Sequence, residues 1–149
     1  GNMATRCAEA ARGYEKRLWR YDKVDVVELP DEKERAHLSP AAIAQVMDKE
    51  GRSILGRVRR EDAVVALCIE GQAQTSEQLA DIVSRLRMDG RRIVFIIGGS
   101  LGLSPEVVAR ADIRLSLSSM TMPHQLARVV LLEQIYRAFK IISGERYHK

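Results

Sequence analysis

The chain has 149 residues, 46% of them hydrophobic, which is enough for one ordinary domain with its own core. Lys and Arg number 24 against 20 Asp and Glu, so the net charge of +4 leans toward acidic partners without excluding any class. No apolar run approaches the ~20 residues of a membrane span, and no charged-then-apolar leader opens the chain. Cys7 and Cys68 lack CxxC spacing and read as buried free thiols, so the expectation is a cytoplasmic protein with no membrane partner and no metal site.

In chain order, Gly1-Asn2-Met3 reads as an expression remnant, and Cys7, Ala11, Tyr14 and Leu18 then share one helical face. "VDVVEL" (Val24 to Leu29) reads as a strand, and "PDEKERAHL" as a charged loop. Ser39-Pro40 marks a helix start, and Ile43, Val46, Met47, Ile54 and Leu55 carry its apolar face past Gly51, a weak point. "AVVALCI" (Ala63 to Ile69) is an uninterrupted apolar strand, as expected where both faces are covered. Thr75 and Gln78 have capping-box spacing for a helix through Met88, which Gly90 ends. "RIVFII" is a second doubly buried strand, Ser104-Pro105-Glu106 opens a short helix, and "IRLSLS" (Ile113 to Ser118) is the last strand. Pro123 starts the longest helix, to about Ile142, closed by Ser143-Gly144 before the tail "ERYHK".

Strict alternation with doubly apolar strands predicts an α/β layer with a mainly parallel sheet and helices on both faces. Such sheets bind ligands outside the carboxyl ends of their strands. Three strand ends carry suitable residues: "LCIEGQ" from Leu67, "GGSLG" after Ile97, and "SLSSMTMP" after Leu115. The glycines Gly98, Gly99 and Gly102 do not fit GxGxxG, and Leu103-Ser104 stand where a P-loop needs Lys and Ser or Thr. No basic side chain serves these loops. Backbone amides, small hydroxyls and apolar walls (Leu101, Leu117, Met120, Met122) suit an adenosine moiety better than a polyphosphate, with core packing the alternative for the methionines.

The stretches "IGGSLGLS", "YEKRL…DEK" and "LSLSSMTMPHQLARVVLLEQIYRAFKIISGERYHK" resemble the SPOUT superfamily, and within it the ribosomal RNA large subunit methyltransferase H family of 23S rRNA pseudouridine N3-methyltransferases. The resemblance covers nearly the whole chain, residues 1–149 as a single domain, with the knot and dimer region at 94–142. It implies a C-terminal trefoil knot, bent S-adenosyl-L-methionine as cofactor, and a homodimer acting on helix 69 of 23S rRNA in the assembled ribosome, with no DNA partner. Carried over by position, the cofactor contacts fall on Leu67, Gly98, Leu117, Ser118, Ser119, Met120, Thr121 and Met122. For Gly98 and Gly99 a tight strand-to-helix turn is the other reading. The family pattern opens with a further strand and glycine loop before the first helix, whereas this chain begins inside that helix at about Ala4, so a sheet lacking that strand is expected.

Methyl transfer to a ring nitrogen requires alignment and removal of an imide proton. Candidate catalytic residues are His124 at the start of the long helix, Tyr147 and His148 in the tail, and Arg137. For His124 a capping or packing role is the alternative, for His148 a frayed end, and for Arg137 a surface ion pair. Leu126, Val129, Leu132, Ile135, Phe139 and Ile142 form a stripe on the long helix that Ala127, Val130, Leu131 and Ala138 widen, a surplus apolar face suited to a second copy. Basic clusters at Lys16, Arg17, Arg20 and Lys23, at Arg57, Arg59 and Arg60, and at Arg85, Arg87, Arg91 and Arg92 are solvated faces or RNA contacts. Phe and Trp together number three, so an aromatic base-stacking platform is not expected. The competing readings are a truncated, weakly active or inactive cofactor- or RNA-binding dimer, another SPOUT RNA methyltransferase, and a nucleotide-binding α/β enzyme unrelated to methyl transfer.

Overall fold

The computed structural model describes residues 3–29, 38–99 and 101–147. Among these, the elements are α1 (Met3–Leu18), α2 (Pro40–Leu55), β1 (Ala63–Ala73), α3 (Ser76–Met88), β2 (Ile93–Ile96), α4 (Pro105–Arg110), β3 (Ile113–Ser116) and α5 (His124–Ile142). Three helix starts follow from cap chemistry: the Ser39 and Ser104 side chains accept from the amides of Ala42 and Val107, and Thr75 with Gln78 closes a reciprocal capping box. Gly51 is no weak point, because α2 runs through it unbroken and buries it against Ser104 of α4.

The strands are parallel in the order β2-β1-β3, which makes β1 the central strand. Ala63, Val64, Val65 and Ala66 are at most 1% exposed, because both faces of the sheet are covered. Successive residues of β1 point to opposite faces. Val65 enters the larger core, with Leu79 and Val83 of α3, Leu132, Ile135 and Phe139 of α5, and Ala11 and Leu18 of α1. Val64 enters a smaller core on the other face, with Val107 of α4, Ile96, and Ile54 and Leu55 of α2. Helices α2 and α4 therefore cover one face, and α1, α3 and α5 share the other. Within that layer α1 and α5 run in the same direction: Met3 and Cys7 lie by Leu126 and Val129, the Tyr14 ring is 6.1 Å from Tyr136, and Tyr21 stacks on Phe139 at 5.5 Å.

One expected strand is absent. Val24–Leu29 forms no strand ladder among the described residues, although Val24 packs on the larger core and its carbonyl accepts from the Trp19 indole at 3.2 Å. Alternation makes a segment amphipathic, but a strand also needs an edge to bond, and neither outer strand of the sheet bonds this one. The boundaries of two other strands shift. β3 stops at Ser116, and β1 continues to Ala73 after an excursion, since Leu67 and Gln72 both align with Leu115 and Cys68–Gly71 bulge out between them. Cys7 and Cys68 are half-buried rather than buried, one on a surface groove and the other on that bulge. Most of the charged loop after Leu29 lies outside the described residues.

The amino edge of the sheet is held by an arginine–carboxylate lattice. Arg92 forks onto Asp62, which is 1% exposed, with contacts of 2.6 Å to Oδ2 and 3.0 Å to Oδ1. This fork holds the Asp62 carboxyl below its ordinary value against the opposing push of burial. Arg91 donates to the carbonyls of Glu61 and Asp62, and Arg110 to those of Arg59 and Asp62. Arg91 and Arg92, from one of the basic clusters, are thus tied into the fold at the edge away from the strands' carboxyl ends. No helix among the described residues is long and apolar enough to cross a membrane.

Candidate active site

Because the strands are parallel, three loops leave one edge of the sheet: the Cys68–Gly71 excursion of β1, the 97–104 turn after β2, and the 117–123 segment between β3 and α5. All the cofactor candidates lie on them or at their roots. Leu67 stands in β1 opposite Leu115, half-buried, and with Leu117 it packs on the larger core. Gly98 sits where the second turn folds back on itself, with Gly99 and Gly102 bridged and the Gly102 amide donating to Gly99 at 3.1 Å. A Cβ on Gly98 would stand 2.9 Å from the Gly102 carbonyl carbon, so the turn alone demands glycine there.

In the third loop the serines shape the backbone. Ser116 Oγ donates to the Ser118 carbonyl at 3.0 Å, and Ser118 Oγ accepts from the Met120 amide at 3.0 Å. Ser119, Met120 and Thr121 face solvent and Met122 is half-buried. Met120 is 76% exposed and Ile69, on the β1 excursion, 55%. These are two large apolar side chains at one edge with no core role. None of the three loops carries Lys or Arg.

The catalytic candidates fall into two groups. His124 is the first residue of α5, half-buried, next to the third loop. One turn on, Arg128 reaches toward Glu28 at 3.7 Å while its buried Nε finds no hydrogen-bond partner among the described residues. At the far end of α5 the helix closes in a Schellman turn: Gly144 takes φ +69°, its amide donates to Ile141 at 3.1 Å, and that of Glu145 donates to Lys140 at 3.0 Å. The chain then doubles back along α5. The Tyr147 ring stands edge-on to Tyr136, centroids 5.1 Å apart, beneath the Arg137 guanidinium at 4.8 Å. Arg137 Nε donates to Glu133 at 2.9 Å, and the Tyr147 hydroxyl approaches the same carboxylate at 3.4 Å. Glu133 raises the Arg137 pKa, so the guanidinium stays charged. Burial, foremost, raises that of Tyr147, so its hydroxyl is protonated at neutral pH and donates rather than abstracts. Arg137 and Tyr147 are brought together, whereas His124 is not: about 20 Å of helix separates it from Arg137. His148 lies outside the described residues.

Residues 1–148 match the family described as predicted SPOUT methyltransferase. The chain is similar, at 52% identity over 137 residues covering 91% of this chain and 86% of the relative, to the ribosomal RNA large subunit methyltransferase H of Bacillus pumilus. That of Clostridioides difficile is 51% identical over 137 residues, 91% and 86% of the two chains. That of Bifidobacterium animalis subsp. lactis is 54% identical over 142 residues, 95% and 89%. The chain belongs to the methyltransferase H family of SPOUT methyltransferases.

SPOUT methyltransferases generally use S-adenosylmethionine, and the three-loop edge fits that group. It offers exposed apolar surface at Met120 and Ile69, open loop backbone around Ser119 and Thr121, and no Lys or Arg within the loops themselves. What sequence reasoning missed in this SPOUT chain lies behind the tail. Lys140 is only 9% exposed and pairs with Glu145 at 2.8 Å, and Tyr21 donates to the same carboxylate at 2.8 Å. A signal for it exists in the sequence, since Lys140 and Glu145 occupy the two positions that a Schellman turn brings into contact.

Proposed function

We propose that this chain is an S-adenosylmethionine-dependent methyltransferase acting on N3 of a pseudouridine in helix 69 of large-subunit (23S) rRNA in the assembled ribosome, as a cytoplasmic homodimer with a trefoil knot over 94–142. The convergence of three cation-free loops at the carboxyl edge of a parallel sheet supports this most directly, in a SPOUT chain whose relatives bear the rRNA methyltransferase name. Membership of that family also sets aside a nucleotide-binding enzyme unrelated to methyl transfer.

When bound, the cofactor supplies an activated sulfonium methyl. Leu67, Gly98 and Leu117 to Met122 would hold it, and the exposed Met120 and Ile69 at the same edge would give its apolar parts a surface. His124, at the root of the third loop, takes the imide proton as N3 attacks in this reading. Tyr147, protonated at neutral pH, donates a hydrogen bond to the base, and Arg137 keeps the tyrosine in place through its ring and Glu133. The roughly 20 Å of helix between these groups is bridged if each protomer's tail serves its partner's loops. A groove lined by Met3, Cys7, Ala10, Leu126 and Val129, with Arg6 its one charged residue, lies beside the first half of α5 and is the surface that a second copy would cover.

Calorimetric titration with S-adenosylmethionine and, separately, ATP tests the site. The expected result is saturable binding of S-adenosylmethionine that Met120→Arg weakens more than tenfold; tight ATP binding with no response to S-adenosylmethionine would contradict it.

A further inference from the structure

We propose that Lys140 and Glu145 form an ionic latch that sets the direction of the C-terminal tail, and are positioning residues for methyl transfer. The inference rests on the functional reading above, in which Tyr147 acts on the base.

A Schellman turn normally closes with an apolar contact between the residue two past the cap and the residue three before it. Here those two places hold Glu145 and Lys140, joined at 2.8 Å. The lysine is not on the surface. Its ammonium lies 5.6 Å from the centre of the Tyr21 ring and 5.3 Å from that of Tyr136, in a side chain 11% exposed. A buried ammonium is unfavourable without a carboxylate partner, and Glu145 of the tail supplies one. The second Glu145 oxygen accepts from the Tyr21 hydroxyl at 2.8 Å, so both carboxylate oxygens are held and the group cannot swing. An apolar contact would tolerate rotation; this arrangement fixes one exit direction. Tyr136, which flanks the lysine, is also the ring on which Tyr147 stands. Opening the latch therefore frees Tyr147 from Tyr136 and Arg137 together.

The test pairs single-turnover methyl transfer on ribosomes lacking the modification with 19F NMR of full-length protein carrying fluorotyrosine at position 147. Glu145→Gln and Lys140→Met should each slow transfer more than tenfold and move the 147 resonance toward that of a free tyrosine, with S-adenosylmethionine affinity within twofold of the parent. Lys140→Arg, which keeps a cation over the two rings and a donor to Glu145, should retain most of the rate. Glu145→Gln removes a partly exposed charge, so it reads out even if Lys140→Met fails to fold. A Glu145→Gln protein with parental rate and resonance overturns the latch, as does equal loss of rate and cofactor affinity, which marks a general structural role. A parental protein that transfers no methyl refutes the functional reading instead, and the 147 resonance then decides the latch by itself.

Discussion

Gly51 of α2 faces Ser104 of α4 so closely that a Cβ on the glycine would run into the serine hydroxyl. Helix propensity alone makes Gly51→Ala stabilising by about 1 kcal/mol. Forcing a methyl into filled space costs about 1–3 kcal/mol, and the neighbour here is a buried N-cap that cannot swing away without losing its bond to the Val107 amide. Packing should win, and Gly51→Ala should lower stability in urea. Adding Ser104→Gly, which costs a cap only a few tenths of a kcal/mol, should restore it.

Gly98→Ala should act differently, because its Cβ would press on the backbone of Gly102 inside a candidate cofactor loop. Calorimetry should show S-adenosylmethionine affinity reduced at least tenfold, while Gly51→Ala leaves affinity unchanged at temperatures where it is folded. Equal affinities in Gly98→Ala and the parent would take this turn out of the site.

Asp62→Ala should destabilise by about 1–3 kcal/mol, because it leaves the Arg59 amide without its acceptor and removes the fork onto Arg92, which is half exposed and can turn to water. The carboxyl is depressed in the folded chain, so its contribution is present above the ordinary aspartate value of 3.8 and is lost as pH falls through the lower folded value. Urea melts from about pH 7 downward should therefore show the gap between the parent and Asp62→Asn holding to about pH 4 and narrowing below it.

The tail latch has its own pH window. Lys140, then Tyr21, with Arg20 nearby, hold the Glu145 carboxyl below its ordinary 4.5, so its stabilisation is full above that value and fades as pH falls through the folded one. Lys140 is raised by Glu145 first and Tyr21 next, so its share is complete below the ordinary 10.5 and is lost only in stronger alkali. Proton–proton contacts between Tyr147 and Tyr136 should persist from about pH 5 to pH 10 and weaken toward about pH 3.

Much of the fold is legible because some residues declare their geometry. Ser39-Pro40, Thr75 with Gln78, and Ser104-Pro105 each leave a particular amide to be capped, and α2, α3 and α4 start there. The apolar run through Val64 and Val65 announces a strand covered twice, and parallel strands put their following loops at one edge, so the residue pattern alone gathers the candidate loops. Val24–Leu29 misleads because alternation tells which side chains would be buried but not whether a neighbouring edge exists. Lys140 goes unread because it is no part of the apolar stripe of α5, and only the turn geometry at Gly144 brings its carboxylate partner back over it.

The rRNA assignment stands or falls on where a labelled methyl ends up when the protein is incubated with methyl-labelled S-adenosylmethionine and ribosomes that lack the helix 69 methyl mark, and the rRNA is then digested to nucleosides. Label should appear in N3-methylpseudouridine from helix 69, abolished by Met120→Arg and reduced more than tenfold by Glu145→Gln. Label in another nucleoside, or none despite saturating cofactor binding, would contradict the assignment.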